Sequence, residues 1–313
     1  MRVSTIGFLV PPPPWTARVI GATAKAVTLL HGDGAAVSVV GLPDNMDARA
    51  FVVEEGFDEF SRTAGLALRA DGGFARASYD REGLGIAGGA ATSAVAAEAI
   101  VAGAFPWDPR PALLEASARL RARPPAARGA AGDDNDPERA SAPSGLSDAA
   151  RILADELASA RGPVRSPDGI HGAGPFGDAF RRLRAGPGFP ADLVGFGPGS
   201  TPAGDDWIAG YLTGRDLLEG GPRSSEPELR SALEAALPRT TPAGRALLAG
   251  AIAGAPPAYL VELAIAAAAA KADERRLREA ARAALGHGAS SGEDAMAGFL
   301  DATGYRGQRP DAL

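Results

Sequence analysis

Two carboxylates stand side by side at Asp205-Asp206, directly after the run Gly195-Phe196-Gly197-Pro198-Gly199-Ser200-Thr201-Pro202-Ala203-Gly204. Glycines let a backbone approach a ligand closely, and successive N–H groups at a helix start attract anions. Ser200 and Thr201 add hydroxyls, so Gly197, Gly199, Ser200, Thr201 and Gly204 are candidate substrate- or phosphate-binding residues. Asp205 and Asp206 would repel a bare phosphate, although a helix dipole stabilises acids in its first turn. The pair suits a hard cation such as Mg²⁺ bridging to a phosphate, an amide or amine ligand, or general-base chemistry. The loop lacks the Gly-Lys-Ser/Thr of a Walker A motif, and no strand–helix–strand unit surrounds it as in a Rossmann fingerprint. A plainer reading is a capped helix that packs closely through Gly210 and Gly214.

The device is written twice. Ser291 to Leu300 repeats Ala203 to Leu212 at an offset of 88 residues (206 to 294, 210 to 298), with Gly, Asp, Ala, Gly and Leu in register. Ser291-Gly292-Glu293-Asp294 reads as a capping box with Asp in place of Glu. His287, between Gly286 and Gly288, is expected at an exposed loop position where an imidazole can exchange protons. Thr240-Thr241-Pro242-Ala243-Gly244 is a third hydroxyl-rich helix start. If these starts converge, Asp205, Asp206, His287 and Asp294 are the candidate catalytic groups. Thr240, Thr241, Ser291 and Gly292 would then join the binding set, around a polar small molecule bearing a carbonyl or phosphate. His171 reads as a turn residue, Arg181, Arg182 and Arg184 as a solvated face, Trp107 as core, and His31 as part of a hairpin turn.

The elements that must position these groups suggest an α+β chain. Strands are expected at 25–30, 35–40 and 51–54, the first two joined by a His31-Gly32-Asp33-Gly34 turn, with another at 84–89. Helices are expected at 90–103, ended by Pro106-Trp107-Asp108-Pro109, and at 111–121. Residues 123–145 carry no apolar side chain larger than alanine and proline, and residues 123–146 read as a flexible linker or excursion. They divide a β-rich part with hairpins and one or two helices, 1–122, from a helical part, 147–313. That part is expected to hold helices at 147–161, 176–184, 205–218, 227–237, 242–253, 257–270, 273–285 and 293–303. With 313 residues, a net charge of −6 and no cysteine, the composition excludes disulfides and thiolate chemistry and gives no nucleic-acid footprint. The apolar runs are too short for a membrane span or a signal segment, so a cytoplasmic protein is expected.

The motif Gly195 to Leu212, the Thr240-Thr241 helix start and Gly286 to Leu300 resemble the AllH-like family. Gly195, Gly197, Pro198, Gly199, Thr201, Pro202, Gly204, Asp205, Asp206 and Gly210 stand where the family's main loop expects them. Gly286, His287, Ser291, Gly292, Asp294 and Gly298 match its distal motif. Ser200 and Ala203 depart from the usual Leu and Ser, and the distal loop has one extra residue around 288–290. The resemblance implies a subunit of an oxamate carbamoyltransferase-type complex, in the setting of allantoin breakdown. It would work with an acyl-CoA-synthetase-like partner and a further subunit, moving a carbamoyl group between carbamoyl phosphate and an amide such as oxamate. A non-catalytic scaffold and a stand-alone phosphate- or nucleotide-binding hydrolase are the alternative readings.

Overall fold

The computed structural model describes residues 1–70, 75–87, 97–122, 144–161, 174–221, 227–270 and 273–304. Residues 123–143 and His171 lie outside this set. The architecture is α+β: a nine-stranded sheet followed by a helical part. The strands are β1 (Thr5–Gly7), β2 (Trp15–Ala22), β3 (Ala26–Leu30), β4 (Ala36–Val40), β5 (Ala50–Val52), β6 (Arg76–Tyr79), β7 (Gly83–Ala87), β8 (Ala97–Ile100) and β9 (Phe105–Trp107). Their order is β8-β7-β6-β2-β3-β4-β5-β1-β9, with β4–β5 and β1–β9 parallel and the other pairs antiparallel.

One face of the sheet is dry because β2 alternates Trp15, Ala17 and Val19 inward with exposed residues between them. Val27, Leu29, Val37, Val39 and Phe51 continue this face. Helix α1 (Phe57–Ala70) covers it with Phe57, Phe60, Ala64 and Ala67. The hairpin at residues 31–34 forms as expected, with Gly34 at φ +80° and Asp33 accepting the Ala35 N–H at 2.9 Å. Both α1 and β2 lie outside the sequence-based expectation.

The helix expected at 90–103 is not formed over its described residues. Ala97–Ile100 is instead strand β8, paired with β7. Ala99 points inward between exposed Glu98 and Ile100, so ladder pairing overrides alanine's helix preference. Residues 105–107 form an edge strand on β1 rather than ending a helix.

The helices after the sheet are α2 (Arg110–Arg121), α3 (Ser144–Arg161), α4 (Pro175–Arg184), α5 (Ala203–Glu219), α6 (Pro227–Ala236), α7 (Pro242–Ile252), α8 (Ala258–Ala269), α9 (Glu274–Leu285) and α10 (Ser291–Ala302). Helix α2 precedes 123–146 but packs Leu113, Ala116 and Leu120 into the helical core. Helix α3 begins at Ser144 rather than after Ser147. The sheet's other face meets this core where Val40, Met46, Ala50 and Val52 cluster with Ala26, Trp107 and Ala258. The Ala258 N–H donates to the Met46 carbonyl there at 2.9 Å. Trp107 is half-buried and touches both parts.

Helix α5 is buried on nearly every side, which makes it the central helix of this part. It runs parallel to α10, with contacts rising together from Thr201–Ser291 to Gly214–Ala302. A Cβ on Gly210 would fall under 3.0 Å from the Ala295 carbonyl oxygen, and one on Gly298 equally close to that of Trp207. Ala295 and Trp207 are repeat equivalents, as are the two glycines, so the helices cross about an approximate two-fold axis. Gly210→Ala and Gly298→Ala should each lower unfolding free energy by about 1–3 kcal/mol, the cost of overpacking exceeding alanine's gain in helix propensity. Gly32→Ala, with nothing within 4 Å of its Cβ, is the control, expected to move stability by less than about 0.5 kcal/mol. Urea denaturation decides; unchanged stability in both helix variants would refute the close approach.

Candidate functional site

Because α5 and α10 are parallel, both Gly-rich motifs end at one place. The Thr201 and Ser291 hydroxyls meet at 3.2 Å. Ser291 is the first helical residue and spends its hydroxyl across the interface, while Ser290 is the cap position and makes no side-chain cap bond. The expected capping box therefore does not form.

The adjacent aspartates have separate fates. Asp205 is fully buried and turns back to its own loop, accepting the Gly195 N–H at 2.8 Å on Oδ1 and the Thr240 hydroxyl on Oδ2. The Gly-rich loop thus wraps the chain's own carboxylate. With both Asp205 oxygens engaged, the Asp205/Asp206 pair expected to chelate a hard cation is not assembled. Among the described residues, no group of three or more His, Asp or Glu side chains is placed to hold a metal ion.

Asp206 points to α10 instead. It is 2% exposed, and its Oδ2 has no hydrogen-bond partner among the described residues. Burial is the main cause that raises its pKa to about 8; Asp294 and Asp205 push the same way, while the Ser291 and Thr201 hydroxyls oppose the rise. Its repeat equivalent Asp294 is also buried. Tyr259, at the start of α8, faces both acids. Burial, then the charges of Asp206 and Asp294, raise its phenol well above the ordinary tyrosine range. The His287 ring stacks on Tyr259 at 4.2 Å between centroids. His287 is consequently half-buried rather than exposed as expected, and burial followed by the Lys25 cation lowers its pKa. Near neutral pH the site presents a protonated carboxyl, a neutral imidazole, a neutral phenol and two hydroxyls.

Several candidate binding residues prove to brace the site. A Cβ on Gly204 would strike the Leu193 carbonyl, and one on Gly292 the Ala284 carbonyl. Their N–H groups are spent on Phe196 and His287 carbonyls at 2.8 and 3.0 Å, so neither serves a ligand as expected. Thr240 holds Asp205; Thr241 caps α7, accepting the Gly244 N–H at 2.9 Å, and ties α7 to the Ser200 carbonyl. Gly197 and Gly199 take positive φ values of +109° and +106°. The N–H groups of Gly197, Gly199, Ser200 and Thr201 donate to no group among the described residues.

Sequence reasoning missed Tyr259, whose signal was the one aromatic in an apolar helix, two residues after Pro256-Pro257. Arg184 pairs with Asp301 and Arg181 with Asp178. With Phe189, Tyr211 and Asp301 the two arginines line a separate open cleft of about 440 Å³ further along α5 and α10.

Fold and site together define a sheet-plus-helices protein whose paired helix starts enclose a buried carboxyl. Residues 193–303 match the family described as oxamate carbamoyltransferase subunit AllH. That segment, about a third of the chain, contains both motifs, the Thr240-Thr241 start and Tyr259. No curated protein and no solved structure matches this chain.

The Asp206 pKa makes stability depend on pH. A carboxyl whose folded pKa lies above its unfolded value near 3.8 stabilises the fold while protonated, and that stability is lost as pH rises toward about 8. Wild type should lose roughly 1–3 kcal/mol between pH 6 and pH 8 that Asp206→Asn, a neutral isostere, does not lose. Denaturant titrations of both proteins at each pH test this; parallel curves would show that Asp206 is ionised throughout.

Proposed function

We propose that this chain is a subunit of a carbamoyltransferase-type complex and that the α5/α10 site binds the carboxamide end of a small polar substrate. The observation that carries this reading is the buried, unpartnered Oδ2 of Asp206 at the point where both motifs meet. A neutral carboxyl both donates and accepts, which matches an amide's carbonyl and NH₂ groups. A bare phosphate has no place beside Asp206 and Asp294, so anionic groups belong at the mouth, near the N–H groups of Gly199 and Ser200.

In carbamoyl transfer from carbamoyl phosphate to the amide nitrogen of oxamate, an N–C bond forms and the C–O bond to phosphate breaks. The amide nitrogen loses one proton, and phosphate leaves with the bonding pair. In the reverse direction that nitrogen must be protonated as it departs. Asp206, with a pKa close to neutrality, is the group suited to carry this proton, with Asp294 beside it and His287 as the second acid–base candidate. Thr201 and Ser291 orient the amide, and Asp205 positions the loop. Acyl-CoA-synthetase-like and further subunits complete the complex, and nothing in the donor set calls for Mg²⁺.

A scaffold role accounts for Gly204, Gly210, Gly292 and Gly298, all of which sit at close backbone approaches. It does not account for a buried carboxyl oxygen left without a hydrogen-bond partner among the described residues. In the reconstituted complex, Asp206→Asn should assemble normally by gel filtration and lose about 100-fold or more in turnover. Asp205→Asn should chiefly lower thermal stability, by about 1–3 kcal/mol, as its two hydrogen bonds are disturbed. Full turnover in Asp206→Asn would remove this carboxyl from the mechanism and leave the scaffold reading standing.

A further inference from the structure

We propose that the open cleft between α4, α5 and α10 is a second small-molecule site, one that takes a flat aromatic ring carrying a carboxylate. Arg181 and Arg184 of α4, Phe189 just after it, Tyr211 of α5 and Asp301 of α10 line this cleft. It shares no lining residue with the paired helix starts and rests on none of the chemistry proposed for them.

Rings build the wall of the cleft. Tyr211 stacks on Trp207, with centroids 5.1 Å apart and planes at 14°. Phe189 stands edge-on to both, 5.4 Å from Trp207 and 5.9 Å from Tyr211. The planes of Phe189 and Tyr211 therefore meet at 75°, and both rings line the cleft. Two rings set this way make a corner. A flat ring fills such a corner by lying on one wall and meeting the other edge-on, the two arrangements that aromatic pairs favour. Trp207 behind them is 1% exposed, so core packing sets the corner before any ligand arrives.

Charge at the rim selects the ligand's polar group. Arg181 and Arg184 stand one helical turn apart in the last turn of α4 and so share a face. Phe176 of the same helix stacks on Phe196 at 4.6 Å, and Phe180 meets Trp207 edge-on at 5.9 Å. These contacts pin α4 and hold its last turn at the cleft. Arg184 donates from Nη2 to Asp301 on α10, which ties the guanidinium across the opening. A guanidinium carries five N–H groups in one plane, so a single carboxylate does not exhaust it. Arg181, Arg182 and Arg184 in this turn also outnumber their carboxylate partners Asp178 and Asp301. The excess is cationic, and the planar fork of an arginine matches a carboxylate better than a bulky or neutral group. A cavity of about 440 Å³ falls within the range of small-molecule sites and accommodates a one- or two-ring acid.

The test is calorimetric titration of the full-length chain with three probes: naphthoate, its neutral amide naphthamide, and the saturated decahydronaphthoate. Naphthoate should bind about three- to tenfold more tightly than either of the others, one comparison reading the charge and the other the ring. Arg184→Met, at an exposed position, should weaken naphthoate by about three- to tenfold and leave naphthamide unmoved, and Arg184→Lys should recover part of the loss. Phe189→Leu should weaken both aromatic probes; should that variant fold poorly, the saturated probe makes the same test on wild type. Asp206→Asn should leave all three affinities unchanged, which separates this cleft from the acid site. Equal binding of naphthoate and the saturated acid would overturn the ring requirement, and equal binding of naphthoate and its amide the charge requirement. Absence of naphthoate binding in wild type would overturn the site. So would naphthoate binding that is lost in Asp206→Asn and kept in Arg184→Met.

Discussion

Helices α5 and α10 lie backbone to backbone in parallel, and the site exists only because they do. Gly210 and Gly298 make the approach possible, each against the carbonyl of the residue three positions before the other's glycine. Parallel packing places two partially positive helix starts side by side, an arrangement that repels itself unless negative or hydrogen-bonding groups are supplied there. Asp206 and Asp294 are those groups. The same closeness strips them of water, and for Asp206 burial outweighs the favourable field of the helix ends, so that the acid holds its proton near neutral pH. A packing constraint thus becomes a chemical property.

Adjacent aspartates behave differently because successive helical side chains point about 100° apart. Asp205 faces the loop that leads into α5 and Asp206 faces α10. One neutralises the N–H of Gly195 and receives Thr240; the other meets Thr201, Ser291, Asp294 and Tyr259. In that arrangement the loop glycines do not cradle a free anion at Gly195, because Asp205 already fills that place. Thr240 and Thr241 then tie the start of α7 to Asp205 and to the Ser200 carbonyl, which fixes the loop against α7.

Most helices were legible because their starts are marked by proline or small polar residues and their faces follow a helical period; the described ends of α4 to α10 lie within a few residues of expectation. The repeat was legible as well, and it located both walls of the site. Its roles were not. Gly204 and Gly292 look like ligand-facing glycines in sequence, but only packing shows a carbonyl where each Cβ would stand. Asp205 and Asp206 are equivalent on paper until the phase of the helix separates them. The Ala97–Ile100 strand was hidden because its residues favour a helix and only the β7 ladder overrides them. Tyr259 was missed for a further reason, since it reaches Asp206 and Asp294 only through the packing of α8 against α5 and α10, and no local pattern encodes a contact over that separation.

The duplicated device is symmetric where it packs and asymmetric in the loops that lead into it. Gly204 and Gly292, Asp206 and Asp294, Gly210 and Gly298 are paired, and they set the crossing and the buried acids. At the mouth the equivalents diverge: Gly199 in the first copy corresponds to His287 in the second, and Asp205 corresponds to Glu293. His287 is then covered on one face by Tyr259. A two-fold site with identical mouths would hold a small ligand equally well in two opposed orientations, which is useless for a reaction at one end of it. Breaking the symmetry only in the loops leaves the stabilising helix pair intact while giving the two helix starts different surroundings, a glycine-rich backbone before α5 and an imidazole stacked on Tyr259 before α10.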